Sequence, residues 1–135
     1  MLNRMFFAQN VSPALPISLG YGRLYNGYAY SNINFCPTGW HLPASSEWLT
    51  LINFVGGKSI AGGVLKEAGF SHWLSPNTGA TNNYLFSALP GGIRTAVGDF
   101  TGGDDEGSGG FLGVIGADDS FSVGFRSDTA SITLY

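Results

Sequence analysis

The chain has 135 residues, enough to bury a hydrophobic core but too few for two domains of ordinary size. Charged residues make up only 11%, the net charge is -3, and no basic run could neutralise phosphate groups, so we expect no nucleic-acid partner. No apolar run reaches the length of a transmembrane helix, so we also expect no membrane insertion. The 21 glycines and the aromatic share of 14% are typical of one loop-rich domain with an aromatic core.

The first 19 residues are predicted to form an extended arm. They carry almost no charge, contain Pro13 and Pro16, and follow no sustained helical or strand period. An arm this apolar needs a surface to pack on, so we expect it to contact neighbouring subunits of a homo-oligomer or larger assembly. Residues 20–135 are predicted to form the domain itself, which begins with a strand or twisted hairpin in GYGRLYNGYAYS.

The motif CPTGWHLP, residues 36–43, is interpreted as a rigid structural corner. The roles expected are a fixed φ at Pro37, a turn at Gly39, a core plug at Trp40, a hydrogen bond from His41 to a backbone group, and a helix start at Pro43. The alternative is a nucleophilic Cys36 with His41 as its base, but no third residue orients such a pair, so we expect no catalysis. Cys36 is the only cysteine, which rules out a disulfide or a cysteine-rich metal site within the chain.

Two short helices are predicted next. Over residues 45–55, Trp48 begins an i, i+3, i+4, i+7 series of apolar residues, and two glycines follow as a stop. Trp48 completes the structural corner by facing the core. Ser45 or Ser46 is expected to cap this helix, and Glu47 lies in its first turn, where a carboxylate complements the helix dipole. A second helix is predicted over residues 61–68, although Gly62 and Gly63 weaken it.

The rest of the chain reads as loops followed by strands. SPNTGATNN has turn chemistry, residues 90–92 (PGG) read as a tight turn, and residues 98–110 read as a flexible acidic loop. Apolar residues at 111–115 and alternating apolar residues at 121–125 and 130–134 then predict three strands.

Six of these segments together resemble one known family. GYGRLYNGYAYS, CPTGWHLP, SSEWLTL, AGGVLKEAG, HWLSPNTGATN and FSALPGGIRT occur in order over residues 20–95 and are similar to the Fibrobacter succinogenes major paralogous domain family. The resemblance implies the fold class, an α+β, C-type-lectin-like fold with one or two short helices, a twisted antiparallel sheet and long loops. It also implies a binding module on secreted or surface-displayed bacterial proteins and in phages, with no catalytic chemistry.

The sequence departs from that family's pattern at three places. GFLGVIG stands where a tryptophan-rich WWSS-like strand is usual, and the closing strand, whose second cysteine would pair with Cys36, is missing. Ala44 occupies the position of the Ser or Thr that would complete a capping box with Glu47.

Ligand-binding candidates lie on two late segments, since exposed aromatic and amide side chains on loops suit glycan or protein surfaces. On the middle loop they are Trp73, Asn82, Asn83 and Tyr84, and on the last hairpin they are Ser120, Arg126, Asp128 and Thr129. A buried Trp73 that serves only the core is an open alternative. We expect no cofactor, but Asp104, Asp105 and Glu106, with Asp118 and Asp119 as a second acidic pair, leave a calcium site open.

The function expected is a non-enzymatic binding or adhesion module that recognises a glycan or a cell-surface protein. It rests on the family resemblance, the apolar arm, the missing closing strand and the lack of a secretory signal pattern, which together favour display on an extracellular assembly. A phage virion, with the chain as a fibre or decoration protein in host recognition, fits best, and a bacterial cell surface also fits. The alternative is a purely structural virion or fibre subunit with no external ligand.

Overall fold

The structure, a computed structural model, describes Tyr21 and residues 35–92, 107–115 and 120–135. The predicted arm at residues 1–19, most of the tyrosine-rich segment that follows it, and the two acidic groups at 104–106 and 118–119 lie outside the described residues. The described part has mixed α+β content, which confirms the predicted class. Its elements are α1 (Ser45–Phe54), α2 (Lys58–Leu65), β1 (Gly109–Ile115), β2 (Ser120–Arg126) and β3 (Thr133–Leu134).

Helix α1 forms where its apolar period predicts, but the cap expected of Ser45 or Ser46 is wrong. The N-cap residue is Ala44, whose backbone is extended and whose methyl group cannot accept a hydrogen bond. The Glu47 carboxylate instead reaches back and accepts the Ala44 N–H at 2.8 Å. One half of a capping box is therefore present, and the carboxylate supplies it.

Helix α2 begins and ends three residues before the predicted bounds of 61 and 68. It starts after Gly57, whose φ of +96° is a conformation that glycine adopts without strain. It ends before Lys66, where the backbone turns extended and forms an isolated bridge with Ala88. The paired glycines do not prevent the helix. They let it pack against the carbonyl of Ser131 and the backbone of Gly79 at distances that a larger side chain would not allow.

The three strands form one antiparallel sheet in the order β1-β2-β3. Leu112 pairs with Val123, and Val123 pairs in turn with Leu134. The third strand is shorter than the predicted 130–134, because the Ala130 carbonyl accepts the Gly63 N–H at 2.8 Å and Ile132 N–H donates to Lys58 O at 3.0 Å. Those groups bind α2 and so do not extend the ladder.

Two segments that were predicted to be loop and turn form or contact the start of β1. Gly109 and Gly110, assigned to the acidic loop, belong to β1. Residues 90–92, predicted as a tight turn, are hydrogen-bonded to this region: Gly92 N–H donates to Gly109 O at 2.8 Å and Gly107 N–H donates to Pro90 O at 3.0 Å. This contact joins the end of the middle loop, residues 73–92, to the sheet.

The helices and the sheet share one apolar core. Its residues are Trp48, Ile52, Val55, Ala61, Leu65, Trp73, Ala88, Leu112, Val123, Phe125 and Ile132. The Trp48 ring contacts the rings of Phe86 and Phe125, with centroids 6.1 and 6.4 Å apart. Neither described helix is by itself long and apolar enough to cross a membrane; only α1 and α2 together, bent by 85°, reach that length and composition.

The structural corner has the predicted turn but not all of the predicted roles. Gly39 has a φ of +85° and Trp40 N–H donates to Pro37 O at 2.9 Å, which confirms the turn. The role given to Trp40 as the core plug is wrong, because its side chain is only partly buried and the core tryptophans are Trp48 and Trp73. The backbone partner predicted for His41 is also wrong, since His41 Nε2 lies 2.9 Å from a Glu47 carboxylate oxygen.

Candidate functional site

The candidate site is built on residues 82–87, here called the tip loop. The side-chain amide of Asn82 closes it: Asn82 Nδ2 donates to Ser87 Oγ and Ser87 N–H donates to Asn82 Oδ1, both at 2.8 Å. Leu85 N–H donates to Asn82 O at 3.0 Å within the loop. Two side-chain bonds and one backbone bond thus give a six-residue segment a defined shape without a helix or strand.

The backbone of the tip loop is held in an unusual conformation. Asn82, Leu85 and Ser87 have φ angles of +51°, +54° and +55°. Asparagine tolerates this left-handed region, but for leucine it costs about 1 to 2 kcal/mol. Strain of this kind persists where surrounding contacts enforce it, and it is concentrated at binding sites.

Neighbouring side chains of the tip loop point in opposite directions. Phe86 packs inward between Trp48 and Phe125, with its ring stacked on Phe125 at 6.5 Å between centroids. Leu85 is 86% exposed and Tyr84 is 46% exposed. The inward ring fixes the loop to the core, and the outward pair is presented to the surroundings.

Helix α1 adds a third apolar side chain to this surface. Phe54 is 73% exposed, and its ring meets that of Tyr84 edge to face, with centroids 5.6 Å apart. We call Phe54, Tyr84 and Leu85 the tip patch. Asn83, also exposed, adds an amide beside it. The tip patch and the adjacent Asn83 therefore combine two aromatic rings, a leucine side chain and an amide, with no charged side chain among them.

The candidate Trp73 lies elsewhere, in the core. Its side chain is 1% exposed and its indole N–H donates to Ala88 O at 2.9 Å. The structure thus places Trp73 where the buried alternative put it. It presents no face to a ligand, but it supports the loop end at Ala88.

The candidates on the last hairpin divide into two groups. Arg126 and Asp128 form an ion pair, with Arg126 Nε donating to Asp128 Oδ1 at 3.2 Å, and the Thr129 hydroxyl lies 2.9 Å from that of Ser131. Asp128 and Thr129 lie in the terminal turn, residues 127–132, and Arg126 directly precedes it as the last residue of β2. Ser120 begins β2 at the opposite end of the strand from Arg126, about 20 Å away at the usual rise, so the structure does not bring it to the group.

Backbone hydrogen bonds join the middle loop to the terminal turn and to helix α2. Thr78 N–H donates to Ser127 O at 2.7 Å, and Thr81 N–H donates to Gly63 O at 3.2 Å on helix α2. Asn77, buried with a φ of +42°, donates its amide to Glu67 O and Gly69 O at 3.0 and 2.7 Å. The segment leading into the tip loop is therefore anchored on both sides.

Two histidine–glutamate pairs complete the polar contacts. His41 and Glu47 are exposed, and the pKa of Glu47 lies below its ordinary value, first because Ala44 N–H donates to the carboxylate and then because His41 does. His72 Nδ1 lies 2.9 Å from a Glu67 oxygen, and its ring meets that of Tyr21 edge to face. Both pairs tie neighbouring loop segments to a helix end.

No group of three or more potential metal-ligating side chains occurs among the described residues. The calcium candidates Asp104, Asp105 and Glu106 lie outside that part of the chain. Sequence reasoning missed Phe54 and Leu85, because neither belongs to an apolar period, and it missed Lys66, whose burial is described below. The only signal for Lys66 was a lone lysine inside the apolar stretch AGGVLKEAG.

These observations define a small α+β domain with a hydrogen-bonded loop that presents apolar side chains on its surface. The chain belongs to the Fibrobacter succinogenes major domain family, whose pattern matches residues 16–109. The match confirms the family resemblance drawn from the six motifs. No curated protein and no solved structure matches the chain.

Proposed function

We propose that this domain is a non-enzymatic binding module with a C-type-lectin-like fold, and that it recognises a glycan or a protein surface through the tip patch. The observation that carries the proposal is the Leu85 side chain, which is 86% exposed on a left-handed backbone. Folding alone gains nothing from such a residue, since it buries little apolar area and strains the chain. Burial of Leu85 by a binding partner would offset the cost of its exposure and of its strained backbone.

The construction of the tip loop supports recognition rather than simple exposure. A binding loop that is already ordered loses less conformational entropy when its ligand arrives. The Asn82–Ser87 bonds and the partly buried Phe86 ring, packed against the core, provide that order here. Tyr84 and Phe54 supply aromatic area, which accounts for much of the binding energy in many interfaces and stacks on sugar rings.

A catalytic role receives no support from the corner motif. The expectation that no third residue orients His41 is wrong, because His41 Nε2 lies within hydrogen-bond distance of both Glu47 carboxylate oxygens. Among the described residues, however, no hydrogen bond joins His41 to Cys36, so the pair itself is not assembled. We extend the proposal to display on an extracellular assembly, with a phage virion or a bacterial surface as the setting. No cofactor is needed for recognition of this kind.

The proposal predicts that Leu85→Gly and Tyr84→Ala weaken ligand binding by about tenfold or more, as expected for central interface residues. Glycine relieves the backbone strain at position 85, so this variant is expected to keep its melting temperature while it loses binding. The measurement is binding of wild type and variants to a printed glycan array and to a panel of bacterial cells.

Phe70→Ala is the matched control. Phe70 is 66% exposed but lies on a different loop, so its removal tests whether any exposed ring matters. Equal losses in Phe70→Ala and Tyr84→Ala would count against a site at the tip patch. Absence of any glycan or cell binding, in a protein that forms stable oligomers, would instead favour a purely structural subunit.

A further inference from the structure

Lys66, immediately after α2, is a completely buried lysine. Its Nζ atom donates to three main-chain carbonyl oxygens, those of Thr78 at 3.1 Å, Arg126 at 2.8 Å and Thr129 at 3.0 Å. An ammonium group has three N–H donors, so each has an acceptor. The Trp73 ring covers the same nitrogen, with its centroid 5.1 Å away.

This surrounding has the chemistry of a cation site. Main-chain carbonyl oxygens are ligands for hard cations, and an aromatic face attracts a positive charge within about 6 Å. The oxygens come from two segments that are far apart in sequence, the middle loop at Thr78 and the end of the hairpin at Arg126 and Thr129. A charge placed between them holds the two segments together.

The charges facing Lys66 are consistent with an ammonium at neutral pH. Burial lowers the pKa of Lys66 to about 8, while the Asp128 carboxylate on the terminal turn raises it. Asp128 is itself paired with Arg126, and Glu67, the next residue along the chain, is held by His72. The lowered value still leaves the group mainly protonated at pH 7.

We propose that the carbonyls of Thr78, Arg126 and Thr129 and the ring of Trp73 form a cation site, filled from within the chain by Lys66. The charge, and not the apolar stem of the lysine, joins the middle loop to the terminal turn. Since residues 78–81 lead into the tip loop, Lys66 is a positioning residue for the tip patch. The site accepts an ammonium-type cation whether or not that cation is attached to the chain.

The test is chemical rescue of Lys66→Ala. Alanine keeps Cβ, so n-propylammonium restores the missing atoms, and n-propanol is its neutral equivalent. Lys66→Ala is expected to lower the melting temperature, because the cavity leaves three buried carbonyls without donors. Added n-propylammonium is expected to raise it in a concentration-dependent way, while n-propanol is not.

Lys58→Ala is the matched control, since Lys58 is an exposed lysine at the start of α2. It should lose little stability and show no specific response to n-propylammonium. Equal rescue of Lys66→Ala by n-propanol, or full stability of Lys66→Met, would overturn the proposal. The first result would mean that a positive charge is not needed, and the second that the apolar stem suffices.

A second measurement applies if Lys66→Ala does not fold. The chain has two lysines, so Lys58→Arg leaves Lys66 as the only source of a lysine ammonium signal in a nitrogen-15 NMR spectrum. A buried ammonium with three acceptors is expected to exchange its protons slowly with water and to be visible at neutral pH. A signal broadened by rapid exchange at pH 7 would overturn the proposal.

Discussion

Single side chains at loop and helix ends determine much of this structure. Glu47 was predicted from its place in the first turn of α1, and there its carboxylate satisfies the Ala44 N–H. Its second partner, His41, could not be predicted from a local pattern, because the two residues are six apart in sequence and meet only in the folded structure. Lys66 was missed for the same reason: one of its carbonyl partners lies 60 residues away in sequence.

The Glu47 contacts predict a specific loss of stability in acid. A carboxylate whose pKa is lowered by folding stabilises the domain above its unfolded pKa, near 4.5, and that contribution is lost as pH falls through the lower folded pKa. Glu47→Gln should therefore be less stable than wild type at pH 7, by about 0.5 kcal/mol for an exposed contact of this kind. The difference should shrink below pH 4.5.

Urea unfolding of both proteins between pH 7 and pH 3 measures this difference. Leu49→Gln provides the control, because it changes an exposed residue of the same helix that does not titrate. A constant difference between wild type and Glu47→Gln across the whole pH range would contradict the prediction.

At the scale of the elements, sequence patterns located the described helices and strands to within a few residues, but contacts between elements set their ends. Helix α2 was expected to be weak at its glycines, and the structure uses those glycines for close packing. The end of the chain lies against α2 there, and this contact also shortens β3. Neither effect can be read from a local pattern, because each depends on a segment about 70 residues away.

The packing reverses the usual effect of glycine in a helix. Alanine normally stabilises a helix by about 1 kcal/mol over glycine. At Gly63 an added Cβ would lie 2.5 Å from Gly79 O, so Gly63→Ala is expected to destabilise the domain by about 2 to 3 kcal/mol. Thermal and urea unfolding provide the measurement.

Ser59→Ala is the comparison for Gly63→Ala, since Ser59 is exposed on the same helix and is expected to change stability by less than about 0.5 kcal/mol. A Gly63→Ala variant as stable as wild type would mean that α2 can move away from Gly79 without loss.

At the scale of the whole molecule, six ordered motifs were sufficient to predict the family, and the family resemblance implied the mixed α+β content that the described residues show. The candidate site was predicted only in part. Asn82, Asn83 and Tyr84 stood out by residue type on a loop, whereas Phe54 joined them through a ring contact made in three dimensions. Side chains that meet across elements leave no periodic trace in the sequence.

The Lys66 site also predicts how the whole domain responds to removal of divalent metal. If an ammonium belonging to the chain holds the middle loop to the terminal turn, EDTA should leave the melting temperature unchanged. Differential scanning calorimetry with EDTA, and with calcium added back, measures this. A melting temperature that falls with EDTA and recovers with calcium would instead point to the acidic residues Asp104, Asp105 and Glu106.

The closure of residues 82–87 by their own first and last side chains separates the shape of the loop from the identity of its outward residues. Asn82 and Ser87 fix the ends of the loop, and Phe86 packs against the core. The side chains at positions 83, 84 and 85 are therefore not needed to close the loop, although the residue at 85 must adopt a left-handed backbone. Exchanging these three residues is expected to alter specificity while the scaffold persists. If the tip patch binds as proposed, related domains can change their ligand through few substitutions in this loop, with glycine or asparagine as the easiest replacements at position 85.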